Sequence, residues 1–278
     1  MRYISIGIGI VSILLGVLPG IFVKERYYTK TQNQEKQNLI AGLKQTLKTR
    51  PFLILVSIVF TKSLGFGLVG SLGFYVNAYY VCGGDLKQAG IINGVKASLL
   101  ILPNLLSVPL CTWLSSHYGK RFVLYFIGIS GILGYLSVYI FYTPANPWLQ
   151  IIPTLLIAPL SSGIWLIAPA MQADIADYDE LRTGKRREGS FSAVFSWVLK
   201  VSATITTGLG GFVLVLTGFD ILHGADQPEH VLDNLVNYYV WIPVTFSIIN
   251  LGCIHFYDLT RERMEEIRAE LEAIRGTR

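Results

Sequence analysis

Three lysines interrupt apolar runs in which a charge is costly: Lys62, Lys96 and Lys200. An ammonium at the centre of a bilayer costs on the order of 3 kcal/mol, so each should face a cavity, a carboxylate or a solute. At about 1.5 Å per residue, Lys200 lies roughly 15 Å past a helix start near Ser190, and Lys62 is about as deep counted from Pro51. Lys96 is shallower, about 10 Å from a helix end, and its stem could snorkel to the interface. No Asp or Glu stands well inside an apolar run, so the helices that carry these cations bring no carboxylate to pair with them. The chemistry open to such residues is recognition of a polar solute or electrostatic tuning of a cavity. All three are candidate substrate- or cation-cavity residues.

A second group is a dense charged stretch that opens the segment 172–200, QADIADYDELRTGKRREGSFSAVFSWVLK. Asp174, Asp177, Tyr178 and Glu180 come first, then Arg186, Arg187 and Glu188. Asp174 and Asp177 share one helix face through their i,i+3 spacing. Opposite charges on adjacent helix ends can lock one conformation and release in another. Equally, the stretch can be a solvated loop whose ion pairs contribute little. Asp174, Asp177, Tyr178, Glu180, Arg186 and Glu188 are the candidates for a cytoplasmic gate.

Covalent catalysis finds no support. His117, His223, His230 and His255 are scattered, and Cys82, Cys111 and Cys253 have neither disulfide nor metal-ligand spacing. No enzyme, metal site, bound cofactor or nucleic-acid partner is expected.

The elements that position these residues read as membrane helices. Of 278 residues, 52% are hydrophobic and 15% charged, with a net charge of +5; mean hydropathy is +0.49. Soluble domains carry about 25% charge. Windows near twenty residues predict seven spans, at 3–23, 52–80, 89–114, 122–142, 149–171, 191–217 and 238–257. Basic residues gather in alternate connections: 24–50 holds seven, and Lys120, Arg121, Arg182, Lys185, Arg186, Arg187 and the tail arginines follow. The intervening connections hold acids, such as Asp220, Asp226, Glu229 and Asp233. The positive-inside rule then places the tail in the cytoplasm and Met1 outside the cell membrane.

Smaller features fill in the outline. Leu39, Ile40, Leu43 and Leu47 within 34–50 fit a short amphipathic surface helix or a plain linker. The tail, 258–278, alternates acid and base and predicts a solvated helix. Pro103, Pro109, Pro153, Pro159 and Pro169 predict kinks or unwound turns. Gly65, Gly67, Gly70, Gly73, Gly128, Gly131 and Gly134 predict close helix packing. Trp148, Tyr238, Tyr239 and Trp241 fit an interfacial aromatic belt.

The run ADIADYDELRTGKRREGSFSAVFSWVLK resembles the glycoside–pentoside–hexuronide:cation symporter family of the major facilitator superfamily, to which the melibiose carrier belongs. The family pattern is A-D-I-x-D-Y-x-E, then a basic residue and a glutamate, then a helix with one lysine. Asp174, Asp177, Tyr178, Glu180, Arg186, Glu188 and Lys200 fall on it without gaps. His117-Tyr118-Gly119-Lys120-Arg121 is similar to the superfamily's short Gly-Lys-Arg loop. The resemblance implies an all-α polytopic membrane fold and alternating access, with a sugar or glycoside moving beside Na⁺, Li⁺ or H⁺. It also implies that Lys200 lines the central cavity and that Asp174, Asp177 and Arg186 serve cytoplasmic closure. On that pattern 1–23 resembles the last helix of an N-terminal half, 24–50 the middle loop, 51–257 a six-helix C-terminal half and 258–278 a tail. The implied partners are the bilayer, the solute and an N-terminal half carrying the cation-site carboxylates, with Met1 marking a truncated or split frame. Two further readings remain open: a lipid or amphiphile as cargo, and a non-transporting remnant or subunit.

Overall fold

The computed structural model describes residues 2–22, 45–185 and 187–276, which form helices and connecting turns. The chain divides into two units, 1–38 and 39–278. In the first unit, α1 (Arg2–Phe22) is a 21-residue helix with no acidic residue in its first turn and no basic residue in its last. At 1.5 Å per residue it is about 31 Å long.

The second unit is a helical bundle. Among the described residues six helices are long and apolar enough to cross a membrane: Arg50–Val81, Leu86–Tyr118, Lys120–Phe141, Pro147–Thr183, Glu188–Leu216 and Glu229–His255. They match the second to seventh windows expected from hydropathy, and the all-α membrane class holds.

The first three of the six are interrupted, the third at Ser137. The first comprises α2 (Arg50–Leu68), a short α3 (Leu72–Tyr75) and a wide π turn at Val76–Val81. Pro51 sits in the first turn of α2, where its missing N–H costs nothing. The second breaks at Leu100 between α4 (Leu86–Leu99) and α5 (Ile101–Tyr118). Pro103 explains the break: its ring clashes with the carbonyl four residues back, that of Leu99. Pro109 stays inside α5. Then come α6 (Lys120–Leu136), α7 (Val138–Phe141), α8 (Ile151–Thr183), α9 (Glu188–Leu216), α10 (Glu229–His255) and α11 (Arg261–Gly276).

Helices α2, α6, α8 and α10 form the centre, while α5 packs on α6 and α8, and α9 packs on α2. The core between them is built from Phe52, Ile58, Leu124, Ile164, Met171, Phe191 and Val240, among others. The outward residues of α4, α5 and α9, such as Ile101, Leu105, Phe212 and Val215, are exposed hydrophobics. In water such a surface would aggregate; in a bilayer it is the lipid face.

Hydrogen bonds and ion pairs sort the connections into two ends. At one end Arg50 pairs with Asp258 at 3.5 Å, and Arg261 donates to the carbonyls of Ser116 and His117. At the other, Tyr139 donates to Asn237 and Gln150 to Asn77, and Gly84 lies against Ala225.

Three expectations change. The fifth span does not stop at 171: α8 runs to Thr183, 33 residues in all. That is about 50 Å at 1.5 Å per residue, well beyond the roughly 30 Å of hydrocarbon, so its last turns carry Asp174–Glu180 clear of the apolar slab. Only 184–187 separates α8 from α9; Gly184, at φ +66°, makes the left-handed stop and donates to the Glu180 carbonyl at 2.8 Å. The seventh span begins at Glu229, nine residues before its expected start, because Asp233 and Asn234 are carried on the helix.

The tail is docked, not solvated on all sides. Met264, Ile267 and Leu271 form a buried i, i+3, i+7 stripe on α11, which packs against α8. The expected amphipathic helix at 34–50 lies, up to residue 44, outside the described residues.

Candidate functional site

The three lysines meet three different surroundings. Lys62, half-buried on α2, reaches no hydrogen-bond or ion-pair partner among the described residues. It borders an open cavity of about 270 Å³, lined also by Ser63, Phe66, Trp165, Leu199, Ser202, Ala203 and Thr206. Helices α2, α8 and α9 thus bring an ammonium, three hydroxyl residues and a half-exposed indole to one concavity; Trp165 is 53% exposed.

Lys200 is exposed on α9. It is not buried within this bundle. Lys200 is not among the residues that line the Lys62 cavity, although Leu199 before it and Ala203 one helical turn on are.

Lys96 does not snorkel. Its Nζ donates to Gln150 Oε1 at 2.9 Å and lies 5.5 Å from the centroid of the Tyr142 ring. Gln150 is fully buried; its Nε2 donates to Asn77 Oδ1 at 2.7 Å and to the Pro147 carbonyl at 2.8 Å. Asn77, also fully buried, sits in the π turn and donates to the Ala89 carbonyl at 3.0 Å. The wide turn directs an amide inward where the chain enters α4. Such turns recur at functional sites. Tyr239, expected in an interfacial belt, turns inward, its ring centroid 6.0 Å from that of Tyr142 on the same cavity.

Two ion-pair sets stand out among the described residues of the charged stretch. Asp174, 3% exposed, accepts from Lys120 Nζ at 2.6 Å and from Arg268 Nη2 at 2.9 Å. Lys120 also donates to the Ala170 carbonyl at 2.8 Å. α6, α8 and the tail helix α11 therefore meet at one carboxylate. Burial, and secondarily the Asp174 charge, holds the Tyr257 phenol well above its usual range, so it stays protonated.

The second set is Asp179 with Arg187, both 4% exposed. Arg187 Nε donates to Asp179 Oδ2 at 2.7 Å, and Nη2 reaches the other oxygen, making a fork. Its guanidinium also lies over the Phe191 ring at 5.8 Å. This pair clasps the two sides of the 184–187 turn. Of the expected closure residues, Tyr178 accepts from Arg182 at 2.7 Å. Asp177 and Glu180 are half-buried, and Glu188 is exposed at the start of α9. Arg186 lies outside the described residues. Among the described residues, Asp174 is thus the buried member of the expected set. Asp179, Arg187, Lys120 and Arg268, not among the expected gate residues, form these two sets with it. Fork-forming Arg–Asp chemistry eight residues apart across a glycine was the signal that could have found the second pair.

A family model described as "MFS/sugar transport protein" matches residues 1–261. The chain belongs to this family. The resemblance read from the charged motif is therefore right at the family level, and the family is one of transporters, not enzymes. Among curated relatives, "Uncharacterized symporter YnaJ" of Bacillus subtilis is 27% identical over 96% of this chain and 57% of its own. "Glucuronide carrier protein homolog" of Escherichia coli is 27% identical over 82% of this chain and 48% of its own. "Sodium-dependent lysophosphatidylcholine symporter 1" of Gallus gallus is 22% identical over 96% of this chain and 50% of its own. The chain spans about half the length of the curated relatives it matches. As a major facilitator chain it is a multi-pass membrane protein. The cluster around Asp174 joins helix ends beyond the apolar slab.

Proposed function

We propose that this chain supplies the C-terminal six-helix half, and the helix before it, of a cation-coupled symporter of a sugar or glycoside. The observation that carries the reading is the Lys62 cavity: one indole, one ammonium and the hydroxyls of Ser63, Ser202 and Thr206 around about 270 Å³. A sugar ring offers an apolar C–H face to an indole and hydroxyls to hydrogen-bonding side chains. Ligand sites of this kind are mostly apolar with few placed polar groups. The relative named as a glucuronide carrier homolog supports the same cargo class.

In this reading Lys62, Lys96 and Lys200 line the transport cavity, and helices outside these 278 residues supply the carboxylates of the Na⁺, Li⁺ or H⁺ site. Transport proceeds by rocking of two halves about a midplane site. Asp174, Asp177, Tyr178, Glu180, Arg186 and Glu188 serve closure on the cytoplasmic side. The positive-inside rule sets that side, with the tail in the cytoplasm and α1 starting outside the cell membrane. Boundaries at 23, 50 and 257 separate the helix, the middle loop, the six-helix half and the tail.

The test is tracer uptake by cells expressing this chain together with the coding segment immediately upstream. Cation-stimulated uptake of a glycoside, lost in Trp165→Ala and Lys200→Ala, supports the proposal. Wild-type coupling in Lys200→Ala removes Lys200 from the mechanism. A second cargo has one specific support, the relative named as a lysophosphatidylcholine symporter, matched over 96% of this chain. Uptake of a lysolipid with no glycoside uptake selects an amphiphile instead.

A further inference from the structure

A second cavity, of about 400 Å³, lies among α2, α3, α4, α6, α8 and α10 and is separate in its polar lining from the Lys62 concavity. Its polar side chains are Lys96, Asn93, Thr154, Tyr135, Tyr142 and Tyr239. No carboxylate is among the residues that line it. The acid that starts α4, Asp85, is turned to the helix end, where Oδ1 accepts from the N–H groups of Lys87 and Gln88 at 3.0 Å each.

The charge balance of this cavity is one-sided. Lys96 brings three N–H donors; one goes to Gln150, and its charge lies near the face of Tyr142. Neither neighbour is negative. Gln150 cannot turn away, because its own amide is tied to Asn77 and to the Pro147 carbonyl. The ammonium is thereby held at the wall. The Tyr142, Tyr239 and Thr154 hydroxyl residues line the same cavity. Hydroxyls can donate or accept, but the fixed charge is positive. A neutral solute would leave that charge uncompensated in a half-buried setting, which is unfavourable.

We propose that this cavity is an oxyanion subsite, in which Lys96, aided by Asn93 and the Tyr142–Tyr239 hydroxyls, takes a carboxylate, sulfonate or phosphate group. The π turn at Val76–Val81 serves it indirectly, since Asn77 fixes Gln150 and Gln150 fixes Lys96. The subsite does not depend on whether the carrier's cargo is a sugar or a lipid. The anionic group can arrive on a soluble solute or on an anionic lipid headgroup, and the two are separable.

The test uses the purified 278-residue chain in phosphatidylcholine nanodiscs, titrated with D-glucuronate and D-glucose and read by saturation-transfer NMR. The two probes differ at the carboxylate. Glucuronate is expected to bind at least about tenfold more tightly, the scale of one hydrogen bond to a charged group. Lys96→Met should erase the preference, and Lys96→Arg should keep most of it. Should Lys96→Met fail to fold, Asn93→Asp provides the second arm: a carboxylate placed in the cavity should pair with Lys96 and abolish glucuronate binding. Loss of glucuronate binding on replacing phosphatidylcholine with phosphatidylglycerol assigns the subsite to a lipid headgroup, within the same proposal. Equal binding of the two sugars, or a preference that survives both Lys96→Met and Asn93→Asp, overturns it. Glycoside uptake that depends on Trp165 would stand in either case.

Discussion

At the scale of single residues, the Asp179–Arg187 pair decides how the turn between α8 and α9 is held. Both side chains are almost fully buried, and the guanidinium forks onto the carboxylate. Removing one partner of a buried pair leaves a charge without compensation, at a cost of about 3–5 kcal/mol. Asp179→Asn should therefore lower the melting temperature of the detergent-solubilised chain by several degrees. Arg187→Lys should fall between, because a lysine keeps the charge but not the fork. Replacing both with leucine should restore much of the loss. A melting curve for Asp179→Asn that overlays the wild type would show that the pair holds nothing. The motif made this end of α8 legible as a place of ion pairs. Which acid pairs with which base was not legible, because Lys120 and Arg268 lie 54 and 94 residues from Asp174 and meet it only in the fold.

At the scale of elements, packing distances separate glycines that matter from those that do not. A Cβ on Gly134 of α6 would stand 2.7 Å from Ile157 Cγ1, 3.2 Å from the Ile157 nitrogen and 3.3 Å from the Leu156 carbonyl carbon. Backbone cannot rotate out of the way, so α6 and α8 must move apart. Gly211 of α9 has nothing within 4 Å of the same position. Gly134→Ala should lower thermal stability, while Gly211→Ala should leave it unchanged or raise it by the roughly 1 kcal/mol by which alanine favours a helix over glycine. Equal melting of the two variants would refute the close approach. The tail offers a second element-scale expectation. Arg268→Ala removes the α11 contribution to Asp174, and hydrogen exchange in 261–276 should rise. In an Asp174→Asn background the same substitution should add little, since both remove one interaction; full additivity would uncouple them. The helices themselves were legible from apolar length alone. Their ends were not: α8 outlasts its apolar stretch by twelve residues, because a helix leaving the bilayer continues as long as its polar turns pack or pair. The inward turn of Tyr239 was equally hidden, since an aromatic near a helix end reads the same whether it faces headgroups or a cavity.

At the scale of the molecule, the question is which face of the bundle meets lipid and which meets water or protein. Leu105 on α5 is 66% exposed, and Ile101 and Leu106 beside it are exposed too, an unbroken apolar surface suited to acyl chains. Lys200 on α9 is also exposed, and its neighbours Leu199 and Ala203 line the Lys62 concavity with its hydroxyl residues and indole. A lysine against lipid at mid-depth would cost on the order of 3 kcal/mol, whereas beside a wet cavity it keeps its hydration. On the proposed function, the α2–α8–α9 face belongs to an aqueous pathway and the α5 face to the bilayer. Single cysteines report this directly once Cys82, Cys111 and Cys253 are replaced. In intact membranes, Lys200→Cys should react with a charged, water-borne thiosulfonate reagent at least about tenfold faster than Leu105→Cys, since thiolates form in water and not in hydrocarbon. Trp165→Cys, on the cavity wall, should react like Lys200→Cys and be slowed by a bound glycoside. Equal protection of Lys200→Cys and Leu105→Cys would place α9 against lipid and leave the cationic face with no aqueous route to serve.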